Sequence, residues 1–158
     1  MPPAIHLRDL LDSDFPIFFE HQRDAASARM AAFGTQDANA SELAARWKKN
    51  LADGTNTHKA IVEGGDVVGF VATFLYDGKL QVTYGIARSH WGRGIASAAL
   101  AQLLQSVSMR PIYASAASDN VASLRVLQKC GFTIRGSTRA FANARGEEID
   151  EVLLALAT

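Results

Sequence analysis

Two tight-turn signals, Gly64-Gly65-Asp66 and Asp77-Gly78, bracket the apolar run Val67 to Tyr76. Turns this short join only antiparallel neighbours, so the chain must form a three-strand meander here. Its strands are His58 to Glu63, Val67 to Tyr76 and Leu80 to Arg88. The third alternates, with Leu80, Val82, Tyr84 and Ile86 on one face and Gln81 and Thr83 between them, as a half-buried strand does. A glycine-rich segment follows, and then the period changes. A helix is predicted from about Gly94 to Val107, with Ile95, Ala99, Leu100, Leu103 and Leu104 as its buried stripe.

On the N-terminal side, Ile5 to Arg8 reads as a short strand. Asp12-Ser13-Asp14 offers N-cap residues, and Phe15-Pro16 fits a helix start, with Phe15, Phe18 and Phe19 at helical spacing. Ser41-Glu42 opens a second helix whose Leu43, Trp47 and Leu51 share a face and which Gly54 ends. Between them, Ala25 to Ala40 reads as a helix remnant and a mobile loop. On the C-terminal side, Pro111 to Ala116 is a strand, and Ser118-Asp119-Asn120 caps a helix that ends at Gly131. Phe132 to Asn143 and Glu148 to Leu156 form a closing hairpin about Ala144-Arg145-Gly146. This order describes one α/β (α+β) domain over residues 1–158, built on a mixed sheet.

The 158 residues contain 16 Lys plus Arg and 16 Asp plus Glu. A balanced charge gives no electrostatic basis for binding nucleic acid or an anionic membrane, so neither is expected as a partner. Cys130 is the only cysteine, which excludes an internal disulfide and a cysteine-based zinc site; no metal is expected. A reducing cytoplasm is the simplest compartment. Met1 to His6 lacks the charged and apolar regions of a signal peptide, and no run approaches the roughly 20 apolar residues of a membrane helix.

Gly92-Arg93-Gly94-Ile95-Ala96-Ser97 lies between a strand and a helix. Backbone N–H groups at a helix start lack intrahelical partners and, with the helix dipole, attract a phosphate; Arg93 adds a charge. Three readings fit the segment alone: a ligand-free turn, a dinucleotide loop, or a coenzyme A loop. The dinucleotide fingerprint G-x-G-x-x-G fails at Ser97, and no acidic ribose ligand stands about 20 residues on. A nicotinamide oxidoreductase therefore ranks last.

Tyr84 through Ala96 resembles the signature segment of the GCN5-related N-acetyltransferases, [QR]-x-x-G-x-[GA]. Gly94 and Ala96 match it, and Trp91 stands where Gln or Arg is usual. Trp-Gly-Arg-Gly is typical of the branch that acetylates ribosomal-protein N-termini, the Rim type, and of its small-molecule relatives. Asn120-Val121-Ala122-Ser123 followed by Lys129-Cys130-Gly131-Phe132 resembles a second segment of that branch. The final hairpin resembles it too. The two segments together, in order, are far more specific than either alone.

The resemblance implies a central, mostly antiparallel sheet flanked by helices, whose parallel strands Leu80–Arg88 and Pro111–Ala116 splay apart. It implies acetyl-CoA as co-substrate, without a metal, and a primary amine as acceptor, whether a protein N-terminus or a small molecule. Ile86, Ala87 and Arg88 would pair with the pantetheine arm, and Ile86 marks the region of a backbone oxyanion donor. Gly92, Arg93, Gly94, Ile95, Ala96 and Ser97 would hold the pyrophosphate. Asn120 would contact the pantetheine side, or cap its helix, or do both. Ser123 would protonate the departing thiolate, or merely bond back to a helix carbonyl. A homodimer is open by analogy.

Two positions depart from the family pattern. Leu127 replaces the tyrosine that many relatives use as thiolate acid, and Gln81 replaces a strand glutamate. A glutamine is no base near neutral pH. The base is left unassigned, with Glu20 and His21 as weaker candidates. A non-catalytic acyl-CoA-binding or sensing module is the alternative function. Tyr84, Phe15, Phe18, Phe19 and Phe33 read first as core aromatics, and His58 as a structural or solvated residue at a strand start.

Overall fold

The computed structural model describes residues 3–33, 37–52 and 54–158. Seven strands form one sheet in the order β1-β2-β3-β4-β5-β7-β6. They are β1 (Ile5–Asp9), β2 (Thr57–Glu63), β3 (Asp66–Tyr76), β4 (Lys79–Ile86), β5 (Ile112–Ala117), β6 (Thr133–Ala142) and β7 (Glu147–Leu156). The helices are α1 (Phe15–Arg23), α2 (Ala25–Ala31), α3 (Ala40–Leu51), α4 (Ile95–Ser106) and α5 (Val121–Lys129). Every neighbouring pair is antiparallel except β4 and β5, which run parallel. The mixed sheet, the meander and the closing hairpin stand where the sequence predicts them.

Alternate residues along the strands serve two cores. Ile61, Val68, Val71, Leu80 and Val82 pack with Ile95, Ala99, Leu100 and Leu103 of α4 and with Leu127 of α5. Ala60, Val67 and Phe70 face the opposite way, toward Phe15 and Phe18 of α1 and Leu43 and Trp47 of α3. The sheet is thus sandwiched between α4–α5 and α1–α3, each helix presenting its apolar stripe inward.

Three caps differ from the sequence reading. Asp14 does not cap α1: its side chain is buried at 2% exposure and forked by Arg8, with Nη1 at 2.7 Å and Nη2 at 2.9 Å. Asn39, not Ser41, caps α3, accepting from the Glu42 N–H at 2.9 Å. Asp24 accepts from the Ser27 N–H at 3.0 Å, which starts α2 as a true helix within the stretch read as helix remnant and loop. Residues 34–36 of that loop lie outside the described residues.

The strand pair β4–β5 sets up the site. They pair only at Leu80↔Ile112 and Gln81↔Tyr113. Beyond that, β4 stays on β3 up to Gly69↔Ile86, while β5 stays on β7 up to Ala117↔Glu151. A wedge opens between them, at the C-terminal ends of two parallel strands.

Candidate active site

At the head of the wedge, a short 3-10 turn over Arg88–His90 leads into the loop before α4. Gly92 and Gly94 both adopt positive φ, 77° and 76°. Gly94 is the N-cap of α4 in the left-handed conformation, and no side chain caps that helix end. A Cβ placed at Gly92 would meet nothing within 4 Å, and one at Gly94 only Pro3 Cδ at 3.8 Å. The glycines therefore serve backbone conformation rather than tight packing, and the first-turn N–H groups of α4 are left open for an anion. This arrangement fits a diphosphate. Arg93 is at present paired with Glu63 at 3.1 Å.

Trp91, where the family signature usually has Gln or Arg, donates its indole N–H to the Ile86 carbonyl at 2.8 Å and so ties the loop to the end of β4. The Ala87 N–H donates to the Val68 carbonyl across the ladder at 2.8 Å. Backbone groups alternate sides along an antiparallel strand, so the Ile86 N–H and carbonyl point the other way, into the wedge. With the carbonyl held by Trp91, the Ile86 N–H is the donor that faces the gap. Arg88 is drawn to Asp24 at 3.4 Å, which pins the N-cap of α2 beside the end of β4.

Across the wedge, Asn120 caps α5 by accepting from the Ser123 N–H at 3.2 Å, and its amide N–H donates to the Met30 carbonyl at 3.2 Å. Its cap reading holds, and it also joins α2 to α5. Ser123 does not bond back to its own helix. Its Oγ lies 2.5 Å from the Tyr84 hydroxyl, so this pair spans the wedge from β4 to α5. Burial pushes the Tyr84 phenol up to about 12, with the Ser123 bond pulling weakly the other way, so it stays protonated. Tyr84 does pack on the main core, as its strand face predicts, and its hydroxyl adds the bond to Ser123. The signal was a tyrosine among aliphatic residues on an inward face, because a buried phenol needs a partner.

A cavity of about 550 Å³ opens on the other side of β4. Tyr84, Gly85 and Ile86 form one wall, and His21, Trp47 and Phe70 are among the residues of the others. Phe18 and Phe19 line it as well, so these two aromatics serve both core and cavity, whereas Phe15 packs on Trp47 and Phe33 on the Ala32–Ala117–Ala142 cluster. Asp37 and Arg46, unremarked in the sequence, meet here. Arg46 forks Asp37 through Nε at 3.1 Å and Nη2 at 2.7 Å, and Gln22 donates to the same carboxylate at 3.0 Å. The Arg46 hydrogen bond holds Asp37 below the usual carboxylate range against the effect of burial. His58 stacks on Trp47 at 4.0 Å between ring centroids.

Of the positions that depart from the family pattern, Leu127 is buried at 1% in the core, and Gln81 sits at the last paired position before the wedge. Cys130 donates weakly to the Ser97 carbonyl at 3.7 Å, and burial pushes its thiol up, consistent with a packing residue. No group of three or more metal-type side chains occurs among the described residues, and none of their helices is long and apolar enough to cross a membrane.

Comparison with known proteins agrees with this fold. An N-acetyltransferase of Bacillus licheniformis, p20, itself uncharacterised, is 28% identical over 103 residues, which span 61% of this chain and 58% of that relative. The protein yncA of Salmonella typhimurium, solved with acetyl-CoA, superposes with a TM-score of 0.81 at 20% identity, covering 98% of this chain and 94% of its own. The ribosomal-protein-alanine N-acetyltransferase of Brucella melitensis superposes with a TM-score of 0.84 at 18% identity, covering 97% and 99%. These structures share the fold, and the model of the acetyltransferase (GNAT) domain matches residues 5–133: the chain belongs to that family.

Proposed function

We propose that the chain transfers an acetyl group from acetyl-CoA to a primary amine by direct attack in a ternary complex. The observation that carries this reading is the β4–β5 wedge, with an anion-ready helix start at its head and a separate cavity beyond its wall. The amides of residues 92–97 would hold the pyrophosphate, with Arg93 leaving Glu63 to join them. The backbone of Ile86–Arg88 would line the pantetheine arm as an added strand, and the Ile86 N–H would polarise the thioester carbonyl. Asn120 retains a second amide N–H for the pantetheine side.

Ser123 would stabilise and protonate the thiolate. Its bond to Tyr84 supports that role: either oxygen can be the donor, and in the arrangement in which Tyr84 donates to Oγ the Ser123 hydroxyl hydrogen is free to point at sulfur. This pair supplies from β4 the phenol that Leu127 lacks, which favours catalysis over an acyl-CoA-binding module. Losing a hydrogen bond of about 2 kcal/mol to a charged group corresponds to roughly 30-fold in rate. Ser123→Ala and Tyr84→Phe should each lower kcat by about that factor, and the double variant no further, since the two act as one unit. Additive losses in stopped-flow thiol release would refute the pairing.

The acceptor cavity supports a class of amine. Its one carboxylate among the described residues, Asp37, has both oxygens engaged by Arg46 and Gln22, and Phe18, Phe19, Trp47, Phe70 and Tyr84 give its walls aromatic surface. A polyamine or aminoglycoside needs unpaired carboxylates for its remaining ammonium groups. A monoamine with an apolar or aromatic body suits these walls. The deciding experiment is an acceptor screen with acetyl-CoA and a free-thiol readout, comparing phenylethylamine and apolar N-terminal peptides with spermidine. Acetyl-CoA binding without thiol release on any amine would leave only the binding module.

A further inference from the structure

Six ionisable side chains line the acceptor cavity among the described residues: His21, Arg23, Asp37, Arg46, His58 and Tyr84. The proton that the attacking amine loses as the C–N bond forms goes to one of them or to water. The arginines are always charged and have no acceptor atom. Both oxygens of Asp37 are occupied, and its pairing makes it a weak base. Burial and then the Arg46 charge push His58 down to about 4, which makes it a weak base, and its Nε2 is buried without a hydrogen-bond partner. Tyr84 is a protonated phenol bound to Ser123.

His21 is left. It lies in the last turn of α1, with its ring against the edge of Phe18 at 6.4 Å and 68°, and shares the cavity with Tyr84, Gly85 and Ile86. We propose that His21 is the general base of the transfer, an inference that rests on the acetyl-transfer reading above. Its neutral imidazole carries one bare nitrogen. As the amine nitrogen bonds to the carbonyl carbon, His21 takes one N–H proton. The C–S bond then breaks, its electron pair goes to sulfur, and sulfur takes a proton from water, either directly or from Ser123, which regains one from water. His21 returns its proton to solvent.

The groups around His21 keep it available. Burial, then the nearby His90, lowers its pKa below the ordinary value, so it is neutral at pH 7. On its own helix, Glu20 and Arg23 pair with each other at 3.2 Å. From the facing elements, Arg46 is forked on Asp37, Arg88 pairs with Asp24, and His90 lies 3.8 Å from Glu63. None of these carboxylates is placed to hold His21 protonated.

The test is the pH profile of kcat/KM with acetyl-CoA and two acceptors of different basicity, benzylamine and phenylethylamine. Wild type should lose activity as pH falls through a value below 6.5 that does not move with the acceptor. His21→Ala should lower kcat about 100-fold, abolish that limb, leave acetyl-CoA affinity unchanged and recover partly with added imidazole. His21→Asn carries the same comparison should the alanine variant fold poorly. A variant that keeps the limb, with kcat within about threefold of wild type, overturns the assignment of His21 alone. Absence of wild-type turnover on both amines counts instead against the transfer reading.

Discussion

Gly94→Glu is expected to weaken acetyl-CoA binding about 1000-fold in isothermal titration, with the fold intact. Two effects combine. Gly94 sits at φ 76°, ψ 11°, where a side chain costs about 1–2 kcal/mol. The new carboxylate also stands among the open amides of the α4 N-terminus. Two like charges about 4 Å apart repel by about 4 kcal/mol at an effective dielectric near 20, and about 4 kcal/mol of lost binding is a factor of about 1000. Gly94→Ala separates the contributions. It keeps the strain and adds no charge, and its Cβ would meet only Pro3 Cδ at 3.8 Å, so it should lower stability more than affinity. A Gly94→Glu protein that binds acetyl-CoA within threefold of wild type would remove the loop from the pyrophosphate site.

The loop is legible in the sequence because its determinants are local. Gly64, Gly65 and Gly78 adopt positive φ in the hairpin turns just as Gly92 and Gly94 do before α4, and each of these needs only its own residue type to announce it. Alternation along β4 likewise places Leu80, Val82, Tyr84 and Ile86 on one face without knowledge of any partner. The contacts that build the site are of another kind. Tyr84 meets Ser123 across the wedge, and Arg46 meets Asp37 beside a loop. Each depends on how elements far apart in sequence settle against one another. Where β5 parts from β4 is a similar long-range outcome, reached here through family resemblance. The caps show the limit of local reading even at short range. Asp12, Ser13 and Asp14 are all good N-cap types, yet Asp14 turns inward because Arg8, on the neighbouring strand, can fork it.

That fork should make Arg8→Ala strongly destabilising, by about 3 kcal/mol at pH 7, the size expected when a buried charge loses its partner. The Asp14 side chain is 2% exposed, and its remaining partner in the variant is the Leu11 N–H at 2.7 Å. Asp14→Asn should cost less, because Arg8 is 30% exposed and can turn to water. The pH dependence distinguishes the two. In wild type, burial would raise the Asp14 pKa, but Arg8 and the Leu11 N–H together hold it below the ordinary value. The unfolded chain then binds more protons than the folded one between the two pKa values. The stability from this pair is therefore present above the unfolded value near 3.9 and is lost as pH falls through the folded one. Without Arg8, burial prevails and the folded pKa rises above the unfolded one, so the variant loses stability as pH rises. The gap between wild type and Arg8→Ala in urea midpoints should thus be widest at pH 7 and shrink toward pH 4. A gap that stays constant over that range would mean that Asp14 reaches water once Arg8 is gone.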